Sequence, residues 1–185
     1  MAYMLGSQES LDELFKRYNK RMFNYALRLL DNRADAEDVV GEFFYKITFN
    51  KDAYKEQAKF STWAYTVARN LCLDRLRQRK KIVFFWTKRS NDSQDYQQWD
   101  IADDSKNPSE RVEDSEVASI VKAAVNRLNG LQKEAIILRE YQKLSYDQIS
   151  EVLSVSKSKV KILIFRARKK LGKTLLPLIK EVQNV

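Results

Sequence analysis

The stretch Leu144–Leu171, LSYDQISEVLSVSKSKVKILIFRARKKL, decides the fold. Its apolar spacing predicts a helix over about Tyr146–Leu153, a turn at Ser154-Val155-Ser156, and a second helix over about Ser156–Leu175. Ile149, Leu153, Val155 and Val160 stand where a helix-turn-helix needs apolar contacts, and Ser150 where the crossing helix demands a small side chain. The turn lacks the glycine often found there. Lys157, Lys159 and Lys161 lie near the start of the second helix; Arg166, Arg168, Lys169, Lys170 and Lys173 lie near its end. In such a motif the first turns of the second helix meet base edges, and cations further along meet phosphates. That arrangement favours DNA binding over a merely solvated face.

Upstream, Asn129-Gly130 breaks the chain before a helix over about Leu131–Tyr141. Asn107-Pro108-Ser109-Glu110 marks another helix start, with a capping Asn, Pro in the first turn and Glu three residues after the cap. That helix should reach about Leu128. Near the N-terminus Leu11, Leu14, Phe15, Tyr18, Met22, Tyr25, Ala26, Leu29 and Leu30 step by threes and fours, which gives a long amphipathic helix. Asp31-Asn32 interrupts it. A second helix over about Ala34–Thr48 turns Ala36, Val39, Val40, Phe43, Phe44 and Ile47 inward, and its early acids Asp35, Glu37 and Asp38 suit the helix dipole. Polar, aperiodic Asn50–Lys59 reads as a loop. Ser61 is placed to cap a third helix over about Thr62–Lys81, with Trp63, Val67, Leu71 and Leu76 inward. Ile82–Trp86 is too apolar for a free linker, so it packs on a domain or docks on a partner. The expected fold is all-α: two small helical domains, residues 1–82 and 108–185, joined by an acidic linker at 83–107, the C-terminal one with a helix-turn-helix.

The charge supports two modules. The 185-residue chain carries a net +9. Residues 90–116 hold nine acids against Lys106 and Arg111, a balance of −7, so the remainder carries +16. Two basic blocks flanking an acidic bridge suggest two nucleic-acid-binding modules, or else a solvated surface with a soluble spacer. Chemistry is bounded as firmly. The chain has no histidine, which removes the commonest general base and metal ligand, and its one cysteine makes a structural zinc site implausible. No Gly-rich phosphate loop occurs, so no catalytic residue, metal or cofactor is expected. No run of about 18 apolar residues exists to span a membrane. Met1–Ser10 lacks a secretory layout, and the lone Cys72 fits a reducing compartment, so a cytoplasmic protein without membrane insertion is expected.

Two further groups of residues invite a functional reading. Asp35, Asp38, Glu42 and Lys46 share a face of the second helix, which residue chemistry alone reads as solvated. The third helix ends in Arg75, Arg77, Arg79, Lys80 and Lys81, which suits either the helix dipole or nucleic-acid contact. Phe60 and Trp63 have the chemistry to stack on unpaired bases, though their spacing favours core packing.

Three stretches taken together resemble the extracytoplasmic-function (group IV) sigma factors. They are Asp35-Ala36-Glu37-Asp38-Val39-Val40-Gly41-Glu42-Phe43-Phe44; Phe60-Ser61-Thr62-Trp63-Ala64-Tyr65-Thr66-Val67-Ala68-Arg69-Asn70-Leu71; and Leu144-Ser145-Tyr146-Asp147-Gln148-Ile149 leading to Val160-Lys161 and Phe165–Leu171. They occur in family order with family-like separations, and the likeness covers nearly everything but the linker. The resemblance implies that Asp35, Asp38, Glu42 and Phe43 dock on the largest subunit of core RNA polymerase. It implies that the loop about Tyr54–Ser61, with Phe60 and Ser61, captures an extruded base of the −10 element. Asn70 would hydrogen-bond that base, and Arg69, Arg75 and Arg77 would hold phosphates; extrusion costs a few kcal/mol of stacking, which a pocket must recover. Ser156, Lys157, Ser158, Lys159, Lys161, Ile162 and Arg166 would read the −35 element of promoter DNA. The acidic linker would thread the polymerase, and an anti-sigma factor is an expected partner.

This sequence departs from the family pattern at three places. Gly41 replaces the usual Gln, at a helix cost of about 1 kcal/mol relative to Ala. Ser158-Lys159 replaces Gly-Thr. Ile162-Leu163 replaces Ser-Arg: Leu163 can turn toward the core, while Ile162 should face DNA or a partner, where it could touch a thymine methyl. The competing readings are a helix-turn-helix regulator acting without polymerase, a sigma mimic that sequesters an anti-sigma factor, and an enzyme. The first gives the acidic face no role, the second has no need of cations on both domains, and the third has no evident site.

Overall fold

The computed structural model describes residues 8–49, 54, 59–89 and 116–183. Its helices are α1 (Gln8–Leu30), α2 (Arg33–Phe49), α3 (Phe60–Arg89), α4 (Glu116–Asn126), α5 (Gly130–Ile136), α6 (Tyr146–Leu153) and α7 (Lys157–Gln183). A π-helical turn, Ile137–Tyr141, continues α5 without a break. No strand occurs among the described residues. The chain is all-α, with two helical domains in the expected order.

In the N-terminal domain α1 and α2 form a tight corner. Asp31 adopts a left-handed φ of 52°, and the Asn32 side chain accepts from the Asp35 N–H at 2.8 Å, closing one helix and capping the next. Met22, Tyr25, Ala26, Val39, Phe43 and Ile47 are fully buried between them. The buried ridge of α3 is Thr62, Ala64, Tyr65, Ala68, Leu71 and Cys72. Leu71 is buried as expected, and Trp63, Val67 and Leu76 pack against the core while staying partly exposed. Small side chains at Ala64, Ala68 and Cys72 let the neighbouring helices approach closely. The expected Ser61 cap is also corrected: Lys59 C=O already accepts from the Thr62 and Trp63 N–H groups, so Ser61 lies inside the first turn.

Ile82–Trp86 continues α3, which runs on to Arg89. Neither Gly nor Pro occurs between Phe60 and Arg89, so nothing in the local sequence stops the helix. The first part of the expected linker, residues 83–89, is therefore helical. The rest of the linker and the helix start at Asn107-Pro108 lie outside the described residues.

Side-chain caps set the helix starts of the C-terminal domain. Asn129 accepts from the Gln132 N–H at 3.0 Å to start α5. Ser145 and Gln148 form a reciprocal capping box at α6, with bonds of 3.0 and 3.2 Å. Ser154 supplies the left-handed residue of the turn, φ 54°, where many such motifs place glycine. Ser156 caps α7, its hydroxyl accepting from the Lys159 N–H at 3.2 Å. Ile137, Leu138, Ile149, Val160, Ile164 and Ala167 fill the core between α5, α6 and α7. The two domains pack on one another, and their buried apolar side chains form one continuous cluster.

Candidate nucleic-acid interface

The acids of α2 and the arginines of α3 face each other. Asp38 and Glu42 are 59% and 47% exposed, and the Arg75 guanidinium binds Glu42 while lying 3.5 Å from Asp38. Arg79 approaches Asp35 at 2.5 Å, and the Asp35 carboxylate is only 21% exposed. The facing oxygen, Oδ2, is buried without a well-aligned hydrogen bond, so the contact is ionic and not directional. The Arg75–Asp38 and Arg75–Glu42 pairs lie at the surface and contribute about 0–1 kcal/mol each, so Arg75 can exchange partners at little cost. Phe43 is fully buried in the core, which corrects its expected place on a docking surface: its side chain packs under the acids and offers nothing to a partner.

On α3 the expected base-capturing residues split into two groups. Phe60 sits half-buried in an aromatic cluster, its ring 5.1 Å from Tyr18, 5.3 Å from Tyr54 and 5.4 Å from Trp63. Asn70 is exposed, and Arg77 is exposed with its guanidinium 2.9 Å from Asp74. Ser61, Tyr65 and Arg69, spaced by four, lie on one face and are turned onto the other domain. The Gln148 side-chain amide donates to the Ser61 hydroxyl at 3.3 Å. The Tyr65 hydroxyl donates to the Gln142 side chain at 2.6 Å, and burial raises its pKa. Arg69 donates to Glu134, with side chains 15% and 6% exposed respectively. Neither Ser61 nor Arg69 therefore meets DNA while the domains are packed this way.

Around this face the contact is extended. Asp31 accepts from Asn126 and pairs with Lys122, both at 2.8 Å. Lys133 donates to the Leu29 carbonyl at 3.1 Å, and burial lowers its pKa despite the nearby Asp31. Arg28 lies 4.1 Å from the ring centroid of Tyr141. Glu134 and Gln142 carry no sequence signal; Asp31 reads only as a helix break and Gln148 only as part of the helix-turn-helix stretch, and neither reading points across the domains.

The start of α7 is bare by contrast. Ser156, Ser158, Lys159, Lys161 and Arg166 are exposed, and Ile162 is 49% exposed while Leu163 is buried. Lys157 pairs with Asp147 at 2.8 Å. Lys159, Lys161 and Arg166 have no carboxylate partner among the described residues. Further along, Arg168 is held by Glu140 at 2.6 Å, and Lys170 by the Arg127 carbonyl at 2.7 Å. Among the described residues no cluster of His, Cys, Asp or Glu is placed to hold a metal ion, and no helix is long and apolar enough to cross a membrane.

Residues 14–82 match the family model Sigma-70 region 2, and residues 119–171 match Sigma-70, region 4. A region 2 three-helix unit followed by a region 4 helix-turn-helix with a bare cationic start defines a sigma factor of the sigma-70 class. Within that class the relatives are specific. The chain is 28% identical over 170 residues to the ECF RNA polymerase sigma factor SigW of Bacillus subtilis, covering 92% of this chain and 91% of the relative. It is 28% identical over 174 residues to the ECF RNA polymerase sigma-E factor of Haemophilus influenzae, covering 94% and 92%. In fold it resembles the sigma factor RpoE solved with the anti-sigma factor NepR from Bartonella quintana (TM-score 0.69, 21% identity, 90% of this chain and 97% of that one). It also resembles CnrH solved with the cytosolic domain of CnrY (TM-score 0.68, 20% identity, 94% and 92%). The chain belongs to the extracytoplasmic-function sigma factors, which direct promoter-specific transcription by RNA polymerase and are generally not enzymes.

Proposed function

We propose that the chain docks on core RNA polymerase through Asp35, Asp38 and Glu42 and reads a two-part promoter with its two domains. Phe60, Ser61, Arg69, Asn70, Arg75 and Arg77 meet the −10 element, and Ser156, Lys157, Ser158, Lys159, Lys161, Ile162 and Arg166 meet the −35 element. The working domains are residues 1–82 and 108–185, with 83–107 as the acidic linker between them. It acts in the cytoplasm, without a catalytic site, metal or cofactor of its own, and an anti-sigma factor holds it inactive. Each domain alone binds weakly, and joined on polymerase they reinforce one another through effective concentration.

One observation carries this reading. A single chain presents a surface acidic pair, Asp38 and Glu42, bridged by Arg75, and a start to α7 where Lys157 is paired with Asp147 but Lys159 and Lys161 have no carboxylate partner among the described residues. A regulator acting on DNA alone has use for the second feature only. Run-off transcription with purified core polymerase on genomic fragments, comparing wild type with Asp38→Arg, tests it. Specific initiation that the reversal abolishes supports docking through α2. Absence of initiation, with the free protein still binding a defined DNA site, overturns it in favour of a plain regulator.

A further inference from the structure

Between the two domains lies a half-open groove of about 590 Å³ to which the promoter-reading function assigns no role. One wall is the face of α1 that carries Lys16, Arg17, Lys20, Arg21 and Arg28; the other is Tyr141-Gln142-Lys143, which follows the π-helical turn. Positions 16, 20, 24 and 28 step by four and so climb one side of α1 at about 6 Å per step, with Arg17 and Arg21 alongside. Six cations thus converge, and no carboxylate lines the groove. Arg17 reaches out to exposed Glu13 at 2.9 Å. Lys16, Lys20, Arg21 and Lys143 have no carboxylate partner among the described residues. Arg28 is fixed at the seam by its contact with the Tyr141 ring.

Like charges lining a concave surface focus the positive potential and concentrate anions there, and here five of the six cations are exposed to incoming ligand. They also oppose the packing that brings Lys143 up to α1. We propose that this groove binds a short polyphosphate, inorganic or carried on a nucleoside, and that the bound anion holds the two domains together. The volume suits a small ligand, within the roughly 300–1,000 Å³ range of such sites. A promoter strand is a poor occupant. On the reading of α3 given above, DNA needs the domains parted, and parting them removes one wall of the groove.

The test uses the full chain and calorimetric titration at constant ionic strength with three probes: inorganic tripolyphosphate, adenosine triphosphate and a thymidine oligonucleotide. Saturable one-to-one binding of a small anion is expected. Lys20→Gln on one wall and Lys143→Asn on the other should each weaken it about ten-fold or more, the loss of one charge-assisted contact. Asn suits the left-handed φ of 59° at position 143. Lys173→Gln, an exposed cation outside the groove, should leave binding unchanged. Donor and acceptor dyes on the two domains should draw closer on saturation. Tighter binding of the nucleoside triphosphate assigns the ligand to a nucleotide; equal or weaker binding assigns it to free polyphosphate. Three results overturn the proposal: no saturable binding, small-anion affinity indifferent to Lys143→Asn, or tighter binding of the oligonucleotide than of either small anion. None of these measurements involves polymerase, so their failure is distinct from failure of the transcription test.

Discussion

Gly41 sits in the interior of α2, exposed, where an added Cβ would meet nothing within 4 Å. The glycine therefore serves no close approach, and it costs helix stability for no packing return. Gly41→Ala should stabilise the chain by about 0.5–1 kcal/mol, read as a raised urea midpoint at unchanged slope. Cys72 makes a second prediction. Its thiol is fully buried, and burial, with Glu134 and Asp35 adding, pushes its pKa from 9.0 up to about 12. The folded value exceeds the unfolded one, so the stability it contributes is whole below pH 9 and is lost as pH climbs through about 12. Buried Tyr25 and Tyr65, both raised above 10.0, act in the same direction at slightly higher pH. Stability measured from pH 8 upward should therefore fall above pH 9, and Cys72→Ala should flatten the earliest part of that fall. Lys133, lowered by burial, opposes the fall, and an unchanged slope in the variant would mean that Cys72 contributes nothing to it.

At the scale of elements, the pair joining α3 to α5 is the sharpest case. Arg69 and Glu134 are both largely buried, so removing one leaves the other charged and desolvated. Glu134→Ala should cost about 3–5 kcal/mol, toward the lower end because the Arg69 guanidinium retains some path to water. Arg69→Met combined with Glu134→Leu should cost much less than the single change, and urea unfolding of both variants decides it. None of this pairing was legible in the sequence. The three hydrogen bonds from the Ser61–Tyr65–Arg69 face span 87, 77 and 65 positions, and local periodicity carries no such information. What was legible followed from short-range rules. The three-and-four spacing of α1, the break at Asn129-Gly130 before α5, and the exposed Ile162 beside buried Leu163 all hold within a turn or two of helix. On α3 the large residues Trp63, Val67 and Leu76 flank a buried ridge that the pattern does not single out, because close helix contact selects small residues such as Ala64 and Ala68. The end of α3 was misread because Ile82–Trp86 lacks a period, yet a helix needs a breaker to stop, and none occurs before Arg89. Among the candidate site residues, the exposure of Lys159 and Lys161 and the inward turn of Phe43 followed from pattern and Asn70 entered only through the resemblance, but the covering of Ser61 and Arg69 followed from neither.

For the whole molecule, domain packing divides the functional surfaces unequally. It covers Ser61 and Arg69, but it leaves Asp38, Glu42 and the start of α7 exposed. On the proposed assignment of Asp38 and Glu42 to polymerase and of α7 to the −35 element, a closed chain keeps both surfaces free, whereas the proposed −10 contacts of Ser61 and Arg69 require the domains to part. A ligand that binds only the parted form has its apparent affinity reduced by the fraction of chains already parted. Weakening the contact without touching either exposed surface should relieve that reduction for one ligand and not the other. Tyr65→Phe deletes the hydroxyl that donates to Gln142 at 2.6 Å and leaves the ring in place. At about 0.5–1.5 kcal/mol for one net hydrogen bond, it should raise the parted fraction roughly two- to ten-fold. Holoenzyme affinity for a single-stranded −10 oligonucleotide should rise by the same factor, while affinity for core polymerase stays within error. Dyes on the two domains should report the separation directly in the free chain. A matching rise in core affinity would mean that closure also covers the docking face. If the −10 affinity does not change although the dyes separate, the covered face of α3 is not the one that reads DNA.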